Sequence, residues 1–533
     1  MPKAFRRSII LAAIATLAVP APAGARPRVL QVGTYHGITG PFATIQAAVN
    51  AAKPGDWILV APGDYHENGT ANAGVLVTTP SIHIRGLDRN RVIVDGTKPG
   101  AAPCSAQAQD QLLGSSGGRN GIEVLKTDGV TIENLTACNY LSDSYGSGGN
   151  EIWWNGGDGS GKIGMGSWYG RYLTASSTYY QANVPNVPLY GLFVSNARGP
   201  GALEDSYASN MADSSFYVGA CADCNATLRR VHAQNSALGY SGTNAGGHLL
   251  IEDSEWDQNI GGIVPSSLAV DDLPSPQDGA CPAGDPHKFC TFIRRNFVHD
   301  NNNPNAPKAL GALSPPVGVG IELTGGRNDT VRDNIVVRNG AWGILVNDYP
   351  DPQTSNNPEY CTGGIKNFAP PAPYNQILGS PIPCYFRATG NRIQDNFFAG
   401  NGFFGNVTNG DLANLSLPSK RDNCFARNLD RNGMVTTAPA NLQDPNVAGT
   451  CGRPWNPNTR QEVALIEQVL CDAFGPGTGL CSGPGYPQPT TPVLLPIPKL
   501  RGLANPCEGV PSNSWCRAGD VRNRAAGTPR LIE

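Results

Sequence analysis

Short runs in which apolar and polar residues alternate recur along the chain. They include GLFVS from Gly191, SFYVG from Ser215, GYSGT from Gly239, GIVPS from Gly262, GIELT from Gly320 and GILVN from Gly343. In a strand, residues i and i+2 share a face. The columns Leu192, Phe216, Tyr240, Ile263, Ile321, Ile344 and Val194, Val218, Gly242, Pro265, Leu323, Val346 therefore point inward. A second set of segments follows these runs, each closing in Asn: 204–210, 229–235, 252–259, 294–301, 332–339, 394–401 and 421–428. The shortest spacings between closing residues, Asn210 to Asn235 and Asn235 to Asn259, are 25 and 24 residues. Longer spacings contain insertions rich in Pro, Gly and Cys.

A unit of about 24 residues, made of short strands and Asn-closed turns, predicts a parallel β-solenoid. Successive rungs then lie ~4.8 Å apart, so like positions stack. The column Glu204, Arg229, Glu252, Arg294, Arg332 mostly alternates in sign, and Asp205, Arg230, Asp253, Arg295, Asp333 alternates throughout. Opposite charges on paired strands attract, so both columns read as structural ladders. The closing Asn residues suit turns in which an amide bonds to backbone or to the Asn of the next rung.

Composition narrows the function. The chain has 533 residues, 15% charged, with a formal net charge of −3. That balance argues against nucleic-acid binding, which leaves a basic footprint. The start, MPKAFRRSIILAAIATLAVPAPAGA, has a basic head, an apolar run and small residues at its end. It predicts a signal peptide over 1–25 and a secreted, periplasmic or cell-surface protein with no membrane span after its removal. Fourteen cysteines lie beyond it, an even number that implies disulfides. Cys281–Cys290, Cys361–Cys384 and Cys471–Cys481 are candidate local pairs. Cys221 and Cys224 read as a loop disulfide, because no second CxxC or His pair completes a zinc site.

The segment FATIQAAVNAAKPGDWILVAPGDYHE (42–67) places Ile45, Ala48, Val49 and Ala52 at helical spacing, with a stop at Pro54-Gly55-Asp56 and a buried strand after it. With GLDRNRVIVDG (86–96) and the Asn-closed rungs, it resembles right-handed parallel β-helix proteins of the pectate-lyase-like superfamily. The resemblance covers roughly residues 30 to 435 and implies an all-β solenoid whose first coil is capped by a short helix. The superfamily includes polysaccharide lyases, polygalacturonases, sugar epimerases, adhesins and phage tailspikes, and fold alone does not choose between them. The Arg-x-Pro-x-x-Arg of pectate lyases and the Asn-Thr-Asp, Asp-Asp and Arg-Ile-Lys sets of polygalacturonases are absent. Asp285-Pro286-His287 matches part of a mannuronan-epimerase motif but falls in an insertion between Cys281 and Cys290.

Insertions at 267–289, 303–316 and 349–383 flank one strand stack and predict a groove on its exterior. Its first outward column reads Glu123, Trp153, Phe193, Tyr217, Ser241, Val264, Glu322 and Leu345. The next reads Asn155, Ser195, Gly219, Thr243, Ser266, Thr324 and Asn347. Aromatics followed by hydroxyl and amide groups suit a sugar chain, so Trp153, Phe193, Tyr217, Ser241, Thr243 and Arg327 are candidate substrate-binding residues. Glu322, Asp348, Asp271 and Asp272 are candidate catalytic acids and bases. Carboxylates of the flanking loops, Asp351 among them, could instead hold Ca2+. His232, His248 and His299 read as structural. The repeat fades after Asn432. Thr459–Phe474 predicts an amphipathic helix that caps the far end, followed by an extended, disulfide-tied tail packed along the coil. Three parts result: 1–25, a β-helix over 26–435, and a cap and tail over 436–533. The expected function is engagement of a polysaccharide, by a lyase, hydrolase or epimerase, or alternatively by a non-catalytic binding or cell-surface protein.

Overall fold

The computed structural model describes residues 26–112, 118–182, 184–269, 291–309, 315–351, 361–417, 423–444, 459–474 and 485–517. Residues 1–25, Asp271, Asp272, Cys281, the motif at 285–287, Cys290 and Cys481 lie outside them. The chain winds into a right-handed parallel β-helix, each turn contributing one strand to each of three parallel sheets. One coil runs through Tyr190–Ser195, Gly201–Glu204 and Tyr207–Ser209, and the next begins at Ser214–Gly219. Leu192 pairs with Phe216, Phe216 with Tyr240, Tyr240 with Ile263, Ile263 with Ile321, and Ile321 with Ile344. All six side chains are fully buried. The Tyr240 hydroxyl donates to Val218 O and fills the space where a Cβ on Gly242 would stand.

The short helix Ile45–Ala51 buries Ile45, Ala48 and Val49 over the first coil. Thr44 Oγ1 accepts from Ala47 N, and the Glu67 carboxylate accepts from Ile45 N and Gln46 N. Three of the donors that a helix start leaves open are thus satisfied.

Buried asparagines join the rungs. Asn334 Nδ2 donates to Asn396 Oδ1 (2.9 Å) and Ile293 O (3.0 Å), while Asn334 Oδ1 accepts from Asn296 N and Nδ2 (3.0 Å each). A second ladder runs Asn259, Asn301, Asn339, Asn401. One alignment needs correction. Asn428 closes the first ladder on Asn396, not the second on Asn401, and Arg427 pairs with Asp395. Asn recurs at a five-residue interval within these rungs, so a slip of five residues leaves the pattern looking intact.

The first charged column is longer than the five residues read from the sequence. Register extends it back through Arg171, Glu133 and Arg85, and Glu133 bridges both arginines. Arg230 pairs with Asp205, and Arg295 with Asp253. Asp205, Arg230, Asp253, Arg295 and Asp333 all have positive φ (50–56°). This turn recurs in the left-handed region, which Asn and Asp tolerate best. These arginines are about half exposed, so Arg230→Ala is expected to change unfolding free energy by less than about 1 kcal/mol, measured by urea denaturation.

Residues 485–517 run back along the coil towards its N-terminal end. Asn210 exchanges two hydrogen bonds with Leu495, and Asn90 exchanges two with Leu500. Asn235 holds Val493 O, and Arg85 holds the carbonyls of Pro506 and Glu508. The Cys507–Cys516 disulfide and Trp515 pack beside Leu59 and Leu87. Cys104–Cys138, Cys221–Cys224 and Cys361–Cys384 are also bonded. Truncation after residue 484 is expected to lower the thermal midpoint by several degrees, because it exposes the buried Arg85–Glu133 pair and strands these Asn groups; calorimetry checks it. No helix among the described residues is long and apolar enough to cross a membrane.

Candidate functional site

The outward columns of one sheet stack as their alternation predicts. Trp153 pairs with Glu123 and Phe193, Phe193 with Tyr217, and Tyr217 with Ser241. Thr243 pairs with Ser266, Ser266 with Thr324, and Thr324 with Asn347. A cavity of about 890 Å³ lies over the later rungs. Its floor includes Ser241, Thr243, Glu322 and Thr324. One wall is built from the 374–385 segment, and another from Ile466, Val469 and Leu470 of the helix Thr459–Phe474. That helix packs with Trp342, Leu345 and Ala413, so it lies on the outward face of the last rungs.

The aromatic column stands beside the cavity and outside its lining. The rings of Trp153 and Phe193 stack at 5.0 Å, and Phe193 meets Tyr217 edge-on at 4.7 Å. Phe193 and Tyr217 are buried, which corrects the expectation that both present exposed stacking faces. They bury each other because neighbouring rungs are close enough for ring-to-ring packing. Trp153 is half-buried and donates to Ser195 Oγ. Arg327 is also outside the lining and donates to Gly363 O.

Glu322 lies on the cavity floor and is 4% exposed. Its Oε1 accepts from Thr324 Oγ1 at 2.9 Å, whereas its buried Oε2 has no hydrogen-bond partner. Burial pushes its pKa up to about 7, against the opposing effect of hydrogen bonding to Thr324 and Asn347. Near neutral pH a large share of this group is a carboxylic acid with a proton to give.

Asp348 is bound differently. Its Oδ1 accepts from Ala388 N (2.7 Å), and its Oδ2 from Tyr385 Oη and Leu417 N (2.9 Å each). Burial raises its pKa to about 6 while the backbone donors pull it down. Its oxygens are engaged, so it holds the 385–388 wall and orients the Tyr385 phenol. Tyr374 donates to Glu462 Oε2 across the cavity wall. Asp213, at the other end, accepts from Tyr190 Oη. Strand spacing and rise put its Cα roughly 19 Å from that of Glu322, too far for a carboxyl pair flanking one bond. No Lys, Arg or His is among the described residues lining the cavity.

Tyr374, Tyr385, Glu462 and the aliphatic wall were not legible as site residues. Tyr374 sits in a Pro-rich insertion without periodicity, Tyr385 on the short strand Ile382–Phe386 that ends it, and the others belong to a helix that reads only as a cap. Among the described residues, the groups of close metal-ligating atoms all lie outside this cavity.

Glu322, Asp348 and Asp329 predict a pH response. Asp329 is buried, with Oδ1 accepting from Thr291 N, and burial raises its pKa to about 7. A carboxyl whose folded pKa exceeds its unfolded value destabilises the fold as pH rises through that interval. The thermal midpoint is therefore expected to fall between about pH 4 and 7, with Glu322 contributing up to roughly 3 kcal/mol. Scanning calorimetry should give a shallower slope for Glu322→Gln; an unchanged slope contradicts the assignment.

Similar folds occur among solved structures. The A-module of the mannuronan C-5 epimerase AlgE4 from Azotobacter vinelandii is 12% identical over 72% of this chain and 90% of that one, with a TM-score of 0.43. An alginate lyase from Paenibacillus sp. is 12% identical over 77% and 97%, with a TM-score of 0.32. A pectin methylesterase from Aspergillus niger is 14% identical over 56% and 83%, with a TM-score of 0.31. No family model and no curated protein matches the sequence.

Proposed function

We propose that the protein acts outside the cytoplasm, takes an uncharged glycan chain into this cavity, and uses Glu322 as the general acid of glycosidic cleavage. The observation that carries the reading is Glu322 on the cavity floor, with its buried Oε2 left without a hydrogen-bond partner. A raised carboxyl pKa is what protonation of a leaving-group oxygen requires. Ser241, Thr243, Thr324 and Asn347 supply hydrogen-bonding groups beside it, and the aliphatic wall suits the apolar faces of sugar rings. The charge of the lining argues against a polyuronate. A uronate lyase or epimerase must neutralise the substrate carboxylate with a cation, and the described lining offers carboxyl groups and no basic side chain. The disulfides support an oxidising compartment.

A second reading, recognition without turnover, is favoured by a separate observation. Asp213, Asp348 and Glu462 are each already hydrogen-bonded, and glycoside hydrolysis ordinarily needs two working acids. The test is a panel of neutral and acidic polysaccharides. New reducing ends from a neutral chain, lost in Glu322→Gln, support the hydrolase. Unsaturated, ultraviolet-absorbing products from a polyuronate overturn it in favour of a lyase. Binding of a neutral chain without turnover, equal in the variant, leaves the recognition reading standing.

A further inference from the structure

A second cluster of chemistry-bearing groups lies on another sheet, near the start of the coil. Strand Gly63–Tyr65 pairs with Val92–Asp95 on the next rung, placing Asp64 opposite Ile93. Tyr65 turns inward and is buried, so Asp64 faces outward. His66 follows, and Asp95 closes the neighbouring strand. One ligand atom from each of Asp64, His66 and Asp95 lies within 4.8 Å of the others.

The hydrogen bonds decide what this cluster presents. His66 Nδ1 lies 2.9 Å from Thr97 O. A carbonyl oxygen only accepts, so Nδ1 carries a proton and Nε2 is the ring nitrogen that faces the carboxylates. Nε2 lies 3.1 Å from Asp64 Oδ2. Asp64 Oδ1 is buried with no hydrogen-bond partner. Asp95 uses one oxygen for Thr97 N (2.8 Å) and the other for Cys104 N (2.6 Å), which orients its carboxylate and leaves each oxygen a further lone pair. Two carboxylates and one ring nitrogen thus converge on one point, with Asp64 Oδ1 buried and unpartnered beside it. A histidine whose second ring nitrogen is pinned to a carbonyl has the usual arrangement of a metal ligand.

We propose that Asp64, His66 and Asp95 bind one divalent transition-metal ion of the Zn2+ type. One imidazole and two carboxylates form an N/O donor set that suits Zn2+ or Mn2+ and offers too few oxygens for Ca2+. Ligands 2.0–2.2 Å from one ion lie ~3.1–4.4 Å apart, within the observed cluster. The ion would tie two successive rungs together next to the Cys104–Cys138 bridge, on a different sheet from the cavity.

The test uses the full chain, stripped with a chelator and titrated with Zn2+ alone by calorimetry. The expected result is a single high-affinity site and a raised thermal midpoint. Asp64→Asn and His66→Gln, each confirmed as folded by circular dichroism, should each weaken binding at least tenfold and abolish the thermal shift. Arg230→Ala, in a half-exposed turn away from the cluster, should change neither readout. Zn2+ uptake equal in wild type and both folded variants overturns the proposal, as does absence of uptake by the wild type. The latter result would assign the close contact to a His66–Asp64 ion pair.

Discussion

Replacing Glu322 by Gln should remove turnover of a neutral glycan by ~10²–10⁴-fold while leaving the affinity for that chain within a few fold. The amide keeps the size of the side chain and can still hydrogen-bond Thr324, but it has no proton to transfer at Oε2. Wild-type activity should fall on the alkaline side as Glu322 ionises, with a limb near its pKa of about 7. Steady-state rates of reducing-end release across pH 5–9, measured for both proteins, check it. A variant that turns over at the wild-type rate rules out the acid role. Tyr385→Phe gives a useful contrast. It removes the donor to Asp348 Oδ2, so it should loosen the wall and raise KM with a smaller effect on kcat.

The largest effect on stability is expected inside the coil. Asn334→Leu preserves approximate volume but deletes an amide that donates to Asn396 and Ile293 and accepts twice from Asn296. Asn334 is 1% exposed, so water cannot replace those partners. Each stranded buried group costs about 1–3 kcal/mol, and the ladder bonds reinforce one another. A total loss of roughly 3–5 kcal/mol in unfolding free energy follows, to be read as a lower urea midpoint. A variant within about 1 kcal/mol of wild type would show that the ladders follow the fold and do not hold it.

The coil was legible because its signals repeat. The inward columns from Leu192 to Ile344 and the outward columns carrying Ser241, Thr243 and Glu322 follow from period-two alternation, and their stacking from the alternating charges at Glu204, Arg229 and Glu252. The helix Ile45–Ala51 was visible in four apolar residues and a Pro-Gly stop. The misaligned rung at 421–428 shows the limit: where Asn recurs five residues apart, pattern alone accepts either register, and only pairing of Arg427 with Asp395 chooses. The site was half legible. Glu322 was found because a strand position fixes which way a side chain points. Tyr385 and Glu462 were not, because their directions depend on how an insertion and a distant helix fold back.

By itself, the sequence determined the solenoid, its register as far as the rung at 394–401 and the strand face on which a groove would form. Each follows from local alternation repeated rung after rung. The tertiary structure alone decided that Phe193 and Tyr217 are buried, that the helix Thr459–Phe474 walls the cavity, and that the tail is clamped by Asn90 and Asn210. These outcomes depend on contacts between residues far apart in the chain, and such contacts have no period from which to be read.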